Sequence, residues 1–138
     1  MNIKLTSNQY ENLVKLISYG MWVVDSAEPE NSNHEFRKIE QLILSQAAEH
    51  GYAGVNHHRE GNYHEPGPQL IGQINTVLDT YEEIVFWDKL AYYLARRDYQ
   101  QGISKSQANH MEHLSQLEEF YHDHLEKHGV SKLKISDE

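Results

Sequence analysis

The chain contains no cysteine, which excludes disulfide frameworks and thiolate zinc sites together. It has no apolar run close to the roughly 20 residues needed to cross a bilayer. Its opening residues, MNIKLTSNQYENL, lack the basic block followed by an apolar block that marks a signal peptide. A cytoplasmic protein without membrane contact is therefore expected. Positive charge is also scarce. Twelve Lys and Arg stand against 21 Asp and Glu, a formal charge of -9. Proteins that grip phosphate backbones gain by releasing counterions through clustered basic side chains. Here only Arg37-Lys38, Arg96-Arg97 and the pair Lys132 and Lys134 lie close together, so no nucleic-acid partner is expected. Acidity of this kind mainly keeps a protein in solution, and an acidic mimic of nucleic acid is the least favoured of the functional readings.

What remains is an ordinary folding composition. With 138 residues, 38% of them apolar, the chain suits one helical domain over residues 1–138. Thr6 and Gln9 form a capping box, the pairing in which hydroxyl and amide satisfy orphan groups at a helix start. Tyr10, Leu13, Val14, Ile17, Met21 and Val24 then recur at helical spacing up to about Ala27, before Pro29. Gly20 lies on that stripe and reads as a point where another helix comes close. Ser32 and Glu35 make a second capping box, followed by Phe36, Ile39, Leu42, Ile43 and Ala47, with Gly51 as a left-handed closing cap.

Between residues 52 and 68 the helical pattern stops. The segment REGNYH can turn a hairpin at Gly61-Asn62 between short strands. Helical spacing returns with Leu70, Ile71, Ile74, Val77 and Leu78. Thr80 and Glu83 then spell a third capping box, which predicts a fresh helix start. Its stripe runs through Ile84, Trp87, Leu90, Ala91 and Leu94, with Phe86 and Tyr93 on the flank. Trp22, Trp87 and Phe86 at such spacing point to packing rather than to a base-stacking platform. After the turn QGISKSQ, a last helix reads through Met111, Leu114, Leu117, Tyr121 and Leu125 to a glycine cap at Gly129. The tail VSKLKI alternates, and fits either a short strand beside the hairpin or an extended arm over the core. The expected fold is all-α: one bundle of about five helices, a short β-hairpin within 52–68, and an extended C-terminal tail.

The segments LTSNQYENLVKLISYGMW, FWDKLAYYLARRDY and LEEFYHDHLEKHGVSKLKI resemble a family of small acidic helical bacterial proteins with no assigned function. The likeness covers three helices and the tail and is weakest around the central histidines. It implies a helical fold and a bacterial source. It implies no activity, cofactor or site residue.

Ten histidines are the chemical oddity of the sequence. In HLEKH, residues 124–128, two imidazoles lie one helical turn apart, but Glu126 is two residues from His124. That spacing turns it by about 200° to the far side of the helix, unlike the glutamate that follows the first histidine of zinc proteases. His110 and His113 share a face without a carboxylate at a matching position. Asp25 and Glu28 could mimic a carboxylate metal helix, but a di-iron bundle wants Glu-x-x-His motifs from two helices, and only spacings such as Glu119 to His122, on an expected exposed flank, occur. Arg97 reads as a salt-bridge partner for an acid on a neighbouring helix. The better metal candidates are His57, His58 and His64, which a closed hairpin would bring near one another, with Glu60 or Glu65 as oxygen ligands. Neighbours on a strand point to opposite faces, so His57 and His58 do not readily share an ion, and a solvated loop is the favoured reading. The sequence thus predicts no catalytic residue and no cofactor. It favours a non-enzymatic protein acting through a protein partner or as a homodimer, the alternative being a divalent-metal-binding protein that uses the loop histidines.

Overall fold

The computed structural model describes residues 3–30, 34–102 and 110–135. Among these residues there are four helices and one hairpin: α1 (Ser7–Ala27), α2 (His34–Leu44), β1 (Val55–His58), β2 (Tyr63–Pro66), α3 (Pro68–Gln101) and α4 (His110–His128). The protein is mainly α-helical, as the periodicity required. None of the described helices is long and apolar enough to cross a membrane. The chain sorts into two compact units, Met1–Asp79 and Thr80–Glu138.

In the first unit, α1 starts as its sequence dictates. The Gln9 amide N–H donates to Thr6 Oγ1 at 3.2 Å while Gln9 Oε1 accepts from the Thr6 amide at 3.0 Å. At the other end the Glu28 N–H still reaches Val24 O at 2.9 Å, and Pro29 cannot continue the ladder. Ser32, the second expected capping residue, lies outside the described residues. The core gathers Tyr10 and Val14 from α1, Leu44 and Ala47 from the end of α2 and its following turns, and Leu70, Ile74 and Leu78 from α3. Trp22, Ile43, Tyr52 and Val55 pack around it. Gly51 has φ +63°, the left-handed position expected of it, where a side chain would be strained.

The hairpin forms with Val55 opposite Pro66, Asn56 opposite Glu65, His57 opposite His64 and His58 opposite Tyr63. Its loop, residues 59–62, closes with the Asn62 N–H on Arg59 O at 3.3 Å. Asn62 takes φ 46°, a left-handed conformation that asparagine tolerates better than most residues. Gln41 of α2 fastens β2 from the side. Its Nε2 donates to His64 O at 2.8 Å and its Oε1 accepts from the His64 N–H at 2.7 Å. One side-chain amide thus satisfies both backbone groups of an edge residue.

The second unit pairs residues 80–101 of α3 with α4. Ala91 and Ala95, one turn apart and fully buried, face Tyr121 and Leu125, also one turn apart. Small residues opposite large ones let the two backbones come close without a void. Trp87, Leu90, Leu94, Leu114 and Leu117 close the rim of this core. Gly129 caps α4 with φ +55° and its N–H on Leu125 O at 2.8 Å.

Several expectations need correction, among them the placing of Ile71, Val77, Ile84 and Met111 on packing faces, since all four are exposed. The helices number four among the described residues, because α3 runs unbroken through Thr80. A cap requires its residue to leave helical dihedrals, and neither proline nor glycine lies between Leu78 and Glu83 to enforce this. The packing face of α2 is also displaced: Leu44 and Ala47 are buried, whereas Phe36, Ile39 and Leu42 are 45%, 53% and 62% exposed. Finally, a Cβ on Gly20 would meet nothing within 4 Å, so Gly20 marks no tight crossing. In the tail, residues 130–135 contain no strand. Leu133 packs on the second core instead, the arm-like alternative. Residues 103–107 of the turn before α4 lie outside the described residues.

Candidate functional site

The hairpin register decides what the three candidate histidines can do together. His57 and His64 are directly opposite on adjacent strands and therefore share one face. Their rings stack with centroids 4.3 Å apart and planes 5° from parallel. His58 is on the other face, stacked on Tyr63 at 4.5 Å, with its Nε2 2.6 Å from Glu65 Oε1. The strand alternation thus divides the three into a pair and a single residue. His57 Nε2 lies 3.2 Å from Asn62 Oδ1 across the turn. Burial, and then the neighbouring His57 ring, hold the His64 imidazole below its usual pKa. No group of three or more His, Asp or Glu side chains is placed to hold a metal ion among the described residues.

The helical histidines fall into small separate groups. His110 and His113 lie against the Tyr99 ring. The His124 and His128 rings lie 4.9 Å apart with planes tilted by 55°, and His122 is 3.9 Å from Asp88. Asp25 pairs with Arg37 of α2 at 2.5 Å, so it is part of a surface ion pair linking α1 and α2. Arg97 departs from its expected role. Its guanidinium binds the next residue, Asp98, at 2.7 Å, and the neighbouring helix contributes the Tyr121 hydroxyl at 3.2 Å rather than an acid. Tyr121 in turn donates to Asp98. Burial pushes the Asp98 carboxyl upward, but the hydrogen bonds from Tyr121 and Arg97 outweigh it and leave the group below its ordinary value. The Tyr121 phenol is raised by burial and by that same carboxylate. This triad ties the end of α3 to α4 as a structural clamp.

The feature that sequence reasoning missed is an open groove of about 230 Å³ between α1 and α2, lined by Ile17, Gly20, Met21, Val24, Phe36 and Ile39. The lining is apolar throughout. Leu16 and Val23, at helical spacing from Gly20 on α1, and Leu42, three residues past Ile39 on α2, are also exposed. The same two helices carry ion pairs of both signs: Asp25 with Arg37, Arg37 with Glu40 at 3.0 Å, and Lys38 with Glu35 at 2.6 Å. The signal was present in the sequence as an apolar stripe on each helix. What periodicity could not report was that Phe36 and Ile39 on the α2 stripe stay about half exposed.

Comparison of the chain with protein-family models, with curated proteins and with solved structures finds no match.

Proposed function

We propose that the protein acts without catalysis, through protein–protein contact, and that the α1–α2 groove is the interface of a homodimer. The observation that carries this reading is the groove's apolar lining, in which Phe36 and Ile39 are about half exposed, with exposed Leu16 and Val23 at helical spacing from Gly20 and exposed Leu42 at helical spacing from Ile39. Contiguous apolar surface of this kind marks interaction sites. The charges on these helices select a second copy as the occupant. A chain of charge -9 repels its like over most of its surface, but on the groove helices Arg37 and Lys38 offset all but one of the charges of Asp25, Glu35 and Glu40. A two-fold contact is self-complementary and sets the basic pair of one copy against the acids of the other.

The magnitude is consistent with a modest dimer. Fully burying a large apolar side chain is worth about 1.5–3 kcal/mol, so covering the half-exposed Leu16, Val23, Phe36, Ile39 and Leu42 gives roughly 1 kcal/mol each. Two copies gain about 10 kcal/mol gross, against an association cost of about 4–15 kcal/mol. Such a dimer dissociates on dilution.

Light scattering or sedimentation over a dilution series tests the proposal. Wild type should shift from dimer to monomer as concentration falls. Phe36→Glu and Ile39→Glu, both at exposed positions, should remain monomeric throughout with unchanged helical circular dichroism. A wild type that is monomeric at every concentration, or variants that dimerise equally well, would overturn it.

A further inference from the structure

We infer that His57 and His64 form a two-imidazole site for a divalent transition-metal ion, such as Cu²⁺, Ni²⁺ or Zn²⁺, on one face of the hairpin. The site excludes His58 and is independent of the dimer reading.

The argument begins with register. Residues directly opposite on antiparallel strands have Cβ atoms about 4.5–5.5 Å apart. His57 and His64 occupy such a pair, and their parallel rings already sit 4.3 Å apart. Metal–imidazole bonds are about 2.0–2.1 Å long, so two nitrogens on one ion lie roughly 3 Å apart. To reach that separation the two stacked rings turn their nitrogen-bearing edges toward a common point.

The second element is preorganisation. The Gln41 side chain holds both backbone groups of His64, which fixes that residue in the register even at the sheet edge. On the other strand Asn62 Oδ1 lies 3.2 Å from His57 Nε2. An amide oxygen can only accept, so the His57 Nε2 carries the proton and donates, and the lone pair falls on Nδ1. Metal-binding histidines are commonly oriented this way, with one ring nitrogen donating to an oxygen and the other free for the ion. Asn62 can reach back because its own left-handed φ of 46° turns the loop tightly.

The chemistry sets the class of ion. Two neutral nitrogens suit Cu²⁺, Ni²⁺ and Zn²⁺ rather than the oxygen-seeking Mg²⁺ or Ca²⁺, with Cu²⁺ bound most tightly. Water completes the coordination sphere, and the acidic surface raises the local concentration of cations.

Titration calorimetry of untagged protein with CuCl₂, NiCl₂ or ZnCl₂ provides the test. Wild type should bind one ion per chain saturably, in the order Cu²⁺, then Ni²⁺ and Zn²⁺. His57→Ala and His64→Ala should each weaken binding on the order of tenfold or more, and Asn62→Ala should weaken it less. His58→Ala should bind as wild type does, although it removes a neighbouring imidazole. In the NMR spectrum Cu²⁺ should broaden the ring protons of His57 and His64 before those of His58. His57 is exposed, so its alanine variant retains the fold, and thermal midpoints without metal verify this. Equal binding by all variants, an equal loss in His58→Ala, or no saturable binding by wild type would each overturn the assignment.

Discussion

Tyr10→Phe isolates one hydroxyl at the centre of the first unit. The Tyr10 ring is 1% exposed and stacks on His50 at 4.8 Å. Its hydroxyl donates to Ile43 O at 2.5 Å, with Leu44 O a longer second acceptor at 3.4 Å. It thus joins α1 to the last turn of α2. Deleting it does not orphan either carbonyl: the Gln46 N–H still reaches Ile43 O at 3.0 Å, and the Ala47 N–H reaches Leu44 O at 3.3 Å. The larger penalty for an unsatisfied buried acceptor is therefore absent, and the loss is the net value of one hydrogen bond, about 0.5–1.5 kcal/mol. For a chain of this length that lowers the melting temperature by roughly 2–6 °C. Removing the ring as well, in Tyr10→Ala, raises the cost to about 3–5 kcal/mol. Each unit carries one tryptophan in its packing, Trp22 in the first and Trp87 in the second. Urea unfolding followed by Trp22 fluorescence in a Trp87→Phe background reads the effect where it arises. A Tyr10→Phe midpoint equal to wild type would refute the assigned role of the hydroxyl.

The same residue predicts an alkaline limit. Burial first, and then the neighbouring Tyr52, push the Tyr10 phenol from 10.0 up to about 12. Tyr52 is raised as well, by burial and then by Glu11. A raised folded-state pKa on an acid means that the folded protein keeps the neutral phenol while the unfolded chain ionises. The contribution is fully present below pH 10 and is lost as pH rises from 10 toward 12. Stability should fall through that window in wild type and less steeply in Tyr10→Phe. Superimposed alkaline limbs for the two proteins would contradict the burial argument.

Three further perturbations follow from particular positions. Gly20→Ala should raise stability by about 0.5–1 kcal/mol, since helical φ is compatible with alanine, its Cβ meets nothing within 4 Å, and glycine costs that much inside a helix; a lowered melting temperature would place an unseen neighbour there. Thr6→Ala removes one half of the capping box and should cost about 1 kcal/mol, read by chemical denaturation, with Thr6→Ser retaining most of the stability. Ala91→Leu inserts bulk where the exposure is zero and α4 is closest, and should destabilise the second unit by about 1–3 kcal/mol, seen as a shift in Trp87 fluorescence unfolding with the Trp22 transition unmoved.

Features encoded within a few residues were legible in the sequence. The Thr6–Gln9 box, the stop before Pro29 and the left-handed glycines at 51 and 129 depend on local dihedrals and orphan backbone groups. The existence of the hairpin was legible for the same reason, but its loop spans residues 59–62 and not the Gly61-Asn62 pair alone. What failed was inference from a one-dimensional pattern to a neighbour in space. Thr80 and Glu83 have the right identities for a cap, yet the helix continues because nothing there costs enough to stop it. Phe36 and Ile39 have the spacing of a buried face, yet periodicity only says that residues share a side, not that another element covers it. The histidines show both outcomes. Strand alternation separated His57 from His58 correctly in advance, whereas the pairing of His57 with His64 needed the register.

Helix α2 connects the two proposed surfaces, and its geometry determines whether they communicate. Gln41 fastens the hairpin at His64, while Ile39, two residues earlier, lines the groove with Phe36. Two residues rotate a helix by about 200°, so clamp and groove lie on nearly opposite sides of α2. An ion on the His57–His64 face would reach the groove only by displacing α2 as a body. That displacement is opposed by Leu44 in the first core and by the Arg37–Asp25 pair at 2.5 Å. Metal should therefore leave the dimer dissociation constant unchanged, and Phe36→Glu should leave metal affinity unchanged. Coupling is reciprocal in free energy, so both measurements must agree. Sedimentation with and without saturating NiCl₂, paired with calorimetry on Phe36→Glu, makes the comparison. A shift of on the order of tenfold in both would mean about 1.4 kcal/mol passes through α2, and the helix would then act as a lever between the sites instead of a fixed partition.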